Sequence, residues 1–61
     1  MPIVHIYMWE GRSDDQKSAI AKGVTKALSD AADIPASATT IVIHDTKKSD
    51  WAEGGQMASE A

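Results

Sequence analysis

Ile3-Val4-His5-Ile6-Tyr7-Met8-Trp9, then Glu10-Gly11-Arg12, then Ser13-Asp14-Asp15-Gln16, is the stretch that decides the fold. The first segment is β-branched and aromatic and lacks Gly and Pro, which predicts a strand. Alternation puts Ile3, His5, Tyr7 and Trp9 on one face and Val4, Ile6 and Met8 on the other. Large apolar groups on both faces imply a strand covered on both sides. Glu10-Gly11-Arg12 is the break. Ser13 with Gln16 three residues later is a capping-box pattern, and Asp14 and Asp15 suit the positive end of a helix dipole.

Working outward, Ile20, Val24, Ala27, Leu28 and Ala31 recur at helical spacing and predict one apolar stripe. Gly23 inside that helix costs roughly 1 kcal/mol relative to Ala, which suggests close approach to a neighbouring backbone. Pro35 disfavours a helical Ile34 and ends the helix by about residue 33. Thr39 to His44 predicts a second strand. Strand, helix and strand make one βαβ unit with a parallel pair. Gly54-Gly55 marks a tight turn, after which the tail has room for a short strand.

The chain has 61 residues, enough for one domain over 1–61. Its net charge is −3, with pI near 5.0. An acidic balance lacks the footprint of a nucleic-acid binder or a polybasic membrane anchor. No run approaches the ~20 apolar residues of a membrane span, and no leader pattern opens the chain, so a cytoplasmic protein is expected. With Cys 0, disulfides, zinc thiolates and a thiol nucleophile are excluded together. A chain near 60 residues buries only ~60% of its unfolded surface, and small domains commonly need staples or oligomerisation. One helix on two strands also leaves two open sheet edges. Self-association is therefore expected, pairing protomers into a four-stranded sheet whose uncovered face packs around a common centre.

The candidate chemistry is sparse. No nucleophile elbow or phosphate loop occurs. His5 and His44 read as ordinary strand histidines, and no metal site is expected. Pro2 directly follows Met1 and precedes a strand. Removal of Met1 would leave a secondary amine, and partial burial or a nearby cation shifts such an amine toward general-base use. Read on its own, Pro2 better suits the start of an edge strand. Arg12 sits where a guanidinium can offer a bidentate fork to a carboxylate, or simply be solvated. Trp51, alone in a polar stretch, suits a pocket wall or a subunit contact.

Met1-Pro2-Ile3, Glu10-Gly11-Arg12-Ser13-Asp14-Asp15-Gln16-Lys17, and an aromatic residue followed by Gly54-Gly55 resemble the 4-oxalocrotonate tautomerase family across essentially the whole chain. The resemblance implies an α+β, β-α-β tautomerase fold. It has two parallel strands, one long helix and a short C-terminal hairpin, assembled as dimers into a hexamer. It implies a keto–enol tautomerase (an isomerase) acting on a small carboxylate substrate, with no metal or organic cofactor. Pro2 would be general base and acid, converting a 2-hydroxydienoate to the 2-oxo-enoate. Arg12 would bind and polarise the substrate, and Trp51 would line the pocket. Two positions depart from the family pattern. Thr40 stands where members often carry a second arginine, and Trp9 where a Leu is usual. Both favour a monoacid or aryl enol over a polar diacid. Glu53 resembles the water-activating glutamate of haloacrylate dehalogenases, although the extra arginine of those enzymes is replaced by Trp9. Hydration through Glu53 is thus one alternative. A non-catalytic subunit of a mixed hexamer, suggested by Thr40, is another. Retention of Met1 would make the Pro2 nitrogen an amide and remove its basicity.

Overall fold

The computed structural model describes residues 1–60. Strand β1 (Ile3–Trp9) leads through Gly11 to helix α1 (Asp14–Ala32), then to β2 (Thr40–Thr46) and a hairpin of β3 (Ala52–Glu53) and β4 (Gln56–Met57). Short 3-10 turns at Ala36–Ala38 and Lys48–Asp50 fill connections, and another, Ala58–Glu60, follows β4. β1 and β2 run parallel, in a register from Ile3 opposite Thr40 to Trp9 opposite Thr46. The second strand thus starts one residue later and runs two residues further than the sequence suggests.

The local devices are the expected ones. Ser13 Oγ accepts from the Gln16 backbone N–H at 3.1 Å, and the Gln16 side chain accepts from the Ser13 N–H at 3.0 Å. Both orphan donors at the helix start are thereby satisfied. At the other end Asp33 turns left-handed (φ 58°) and its N–H reaches Ser29 O at 3.1 Å. Gly54 and Gly55 both carry positive φ (60° and 83°), which the two-residue β3–β4 turn requires.

α1 lies against β2. Lys17 and Asp45 clamp the two at 2.5 Å, which places Asp45, and with it Val4, Ile6, Met8, Ile41 and Ile43, on the helix-covered face. Ile20, Val24 and Leu28 are half-buried on the helix, as are Lys17, Ala21, Thr25 and Ser29. Ala27 and Ala31 are exposed, so the buried stripe is rotated from the one the apolar residues suggest. A side chain added at Gly23 would meet nothing within 4 Å. The expected close backbone approach is therefore absent inside the protomer.

The opposite sheet face is bare. Ile3, His5, Tyr7 and Trp9 alternate exposed with half-buried neighbours. Cover on both faces, expected from the sequence, is met on one face only. Among the described residues none is fully buried. The protomer exposes 4503 Å², against about 3,800 Å² for a folded monomer of this mass. Its radius of gyration is 14.4 Å, against about 10.5 Å for a compact chain of this length. Both excesses describe a thin, open protomer. No helix among the described residues is long and apolar enough to cross a membrane.

Candidate active site

Pro2 lies at the entry to β1, where a residue without an N–H is tolerated. Its carbonyl accepts from the Thr40 N–H at 3.0 Å, fixing the start of β1 beside the start of β2. Pro2 is half-buried, while Met1 is 89% exposed. Pro2 and Thr40 form one end of the sheet.

The other candidates gather at the opposite end. Trp9 closes β1, and Gly11 (φ 122°) turns the chain so that Arg12 precedes the helix cap. The Glu10 N–H reaches Thr46 O at 3.0 Å, bringing the chain after β2 alongside. Trp51 meets Trp9 edge to face, with ring centroids 6.0 Å apart and planes at 75°. The Trp51 indole N–H points to Glu53 Oε1 at 3.5 Å, the outer limit of a hydrogen bond. The Lys48 ammonium stands 4.7 Å from the centre of the Trp9 ring. Arg12 is exposed and, among the described residues, has no carboxylate within ion-pair distance.

The two ends are far apart. Six steps from Ile3 to Trp9, at roughly 3.3 Å each, separate them by about 20 Å. No arginine side chain spans that gap. One protomer thus keeps the candidate residues apart, Pro2 and Thr40 at one end of the sheet and Arg12, Trp9, Trp51 and Glu53 at the other. The described residues of a single protomer enclose no cavity. A complete site on these residues needs the two ends from different copies.

Between the ends lies a feature the sequence did not suggest. His5 Nδ1 and His44 Nε2 are hydrogen-bonded at 2.8 Å. Tyr7 stacks on His44, with centroids 4.2 Å apart and planes within 8°. The signal was the parallel register, which sets Tyr7 opposite His44 and leaves His5 diagonal to it. Among the described residues no three His, Asp or Glu side chains converge as metal ligands. The proton affinity of Lys17 is raised by its hydrogen bond to Asp45 and by the charges of Asp45 and Asp14, against a lowering by desolvation.

Residues 2–61 match the family model described as "Tautomerase enzyme". A 2-hydroxymuconate tautomerase of Comamonas testosteroni is 43% identical over 60 residues, covering 98% of this chain and 95% of that protein. A 2-hydroxymuconate tautomerase of Pseudomonas putida is 37% identical over the same shares of the two chains. Among solved structures, a 4-oxalocrotonate tautomerase isozyme of Methylibium petroleiphilum superposes with a TM-score of 0.89 at 38% identity, covering 95% of this chain and 94% of that one. The heterohexamer 4-oxalocrotonate tautomerase of Chloroflexus aurantiacus does so with a TM-score of 0.91 at 32% identity, covering 98% and 97%.

Proposed function

The chain belongs to the tautomerase family and is a keto–enol tautomerase, and from that premise we propose that Pro2, freed of Met1, is its general base and acid. The substrate class is a 2-hydroxydienoate or related enol acid. The Pro2 nitrogen lone pair takes the proton of the enol hydroxyl. The electrons of that O–H bond form the carbonyl, and the displaced π pair takes the proton back from the proline ammonium at carbon. One O–H bond is broken and one C–H bond made, with no net change in charge. Arg12 binds the substrate carboxylate as a bidentate fork and draws electron density toward it. Trp51 and Trp9 exclude water, which strengthens that contact.

The observation that carries this reading is the division of the candidate residues between opposite ends of one thin sheet. A self-assembled oligomer that covers the open sheet face and sets the Pro2 end of one copy against the Arg12 end of another supplies the whole site. Assembly of dimers into a hexamer fits the unburied surface. Thr40, beside Pro2, offers one hydroxyl and no charge, so the amine end contributes no fixed cation.

The test replaces Pro2. Pro2→Ala keeps a terminal amine but makes it primary and less constrained, and turnover of 2-hydroxymuconate and phenylenolpyruvate should fall by at least about tenfold, within the range of general acid–base contributions. Unchanged turnover of both would remove Pro2 from the chemistry. A second reading, water addition with Glu53 as base, draws on the Trp51–Glu53 contact at the Arg12 end. Glu53→Gln separates the two, since hydration requires the carboxylate and ketonisation does not.

A further inference from the structure

We propose that the His5–His44 pair makes the assembly of this chain sensitive to acid: subunits hold together while the pair keeps a neutral ring and separate as both rings become charged. The proposal rests on the self-association reading above and names what regulates it. His5 Nδ1 and His44 Nε2 lie 2.8 Å apart. The ring centroids are 5.1 Å apart and the planes within 22° of each other. The nitrogens are thus much closer than the ring centres, and the rings meet nitrogen to nitrogen rather than face to face. Tyr7, flat against His44 at 4.2 Å, holds that ring in place. One ring must donate and the other accept. Two imidazolium rings offer only donors and cannot make the bond. The bond therefore survives one added proton and fails with two.

No carboxylate stands against the pair on this face. The parallel register puts Ile3, His5, Tyr7 and Trp9 of β1 there, with Thr40, Val42, His44 and Thr46 of β2. Tyr7 is the other titratable group among them, and a phenol gains no charge in acid. Asp45 lies on the helix-covered face, where Lys17 holds it. Helix α1, with its own charges, packs from that side. Lys48 and Glu53 stand at the Trp9 end, about 13 Å along β1 from His5. The amino terminus at the other end is a further cation. A copy that covers this face with its own open face brings the same residues, again with no carboxylate. In the free protomer His5 is exposed and His44 half-buried, so water can solvate a charge on either ring. Covering the face removes that water and disfavours each imidazolium. The separated protomer therefore binds more protons than the assembled one, and separation grows as pH falls through the ordinary histidine range. A site drawn from two copies comes apart with it.

Sedimentation velocity over a concentration series, at about pH 7.5 and about pH 5.5, tests this on either side of the ordinary histidine value. For the unmodified sequence the dissociation constant per subunit is expected to rise at least about fivefold at the lower pH, since a free protomer takes up two protons and the assembled pair at most one. In the double variant His5→Gln/His44→Gln, whose amides keep a donor and an acceptor at each position, the change should stay below about twofold. Acid-lowered turnover of phenylenolpyruvate should also recover as protein concentration rises, which protonation of the Pro2 amine alone would not produce. Equal association at both pH values, or an unaltered acid response in the double variant, would overturn the proposal. Should that variant not fold, long-range proton–nitrogen spectra of the imidazoles in the unmodified sequence read the same event. Two charged rings within an intact assembly would then overturn it. Tight assembly at both pH values contradicts this proposal alone, whereas a monomer at both contradicts the self-association reading and this proposal with it.

Discussion

Tyr7 offers a sharp test of the proposed assembly, on which the proposed site depends. It lies at the centre of the open sheet face and is 63% exposed in the protomer. An aromatic side chain presents roughly 150–250 Å², so about 125 Å² of Tyr7 stays in water until another copy covers it. At ~25 cal/mol per Å², and allowing for the phenol oxygen, covering it contributes about 2–3 kcal/mol per subunit. Tyr7→Ala should therefore weaken association roughly 30- to 150-fold per subunit added to the assembly. The cost inside the protomer is smaller, confined to the stack on His44 and worth about 0.5–1.5 kcal/mol. Sedimentation velocity across a concentration series reads the association, and activity should fall with the assembled fraction. An assembly as tight as that of the unmodified sequence, at matched concentrations, would refute the assignment of this face to subunit packing.

Three further outcomes follow from particular side chains. Arg12→Ala should raise KM for an enol acid about tenfold to a hundredfold, the worth of a charged hydrogen-bonding partner, as read in steady-state ketonisation kinetics. Ser13→Ala should cost about 1 kcal/mol of stability in urea denaturation, because it leaves the Gln16 backbone N–H without its acceptor. The Lys17–Asp45 clamp raises the Lys17 proton affinity above its ordinary value of 10.5. Its contribution is complete below the unfolded value and disappears as pH rises through the higher folded one. Thermal midpoints should accordingly drop above pH 10.5 in the unmodified sequence, and Lys17→Met should lack that component of the drop.

The local order was legible because local rules govern it. β1 matches its alternating apolar residues, α1 its capping box, and the hairpin its two glycines. The less legible features depend on residues distant in sequence. Helix rotation is set partly by the Lys17–Asp45 clamp, a charged pair that apolar periodicity ignores, and it leaves Ala27 and Ala31 in solvent. The His5–His44 bond joins positions 39 residues apart and depends on a register that no single strand specifies. Lys48 looks like one more surface charge until the end of β2 is brought beside Trp9. The candidate site shows the same division. Pro2, Arg12 and Trp51 stand out as residue types, but only the strand length reveals that one protomer cannot bring them together.

The central claim is that a free secondary amine at Pro2 moves the proton. Its most direct test pairs intact-protein mass with ketonisation of phenylenolpyruvate and 2-hydroxymuconate, on matched samples that retain or lack Met1. The account predicts turnover in the sample whose mass lacks Met1, and none where the Pro2 nitrogen is still an amide. Equal turnover in both samples would contradict it.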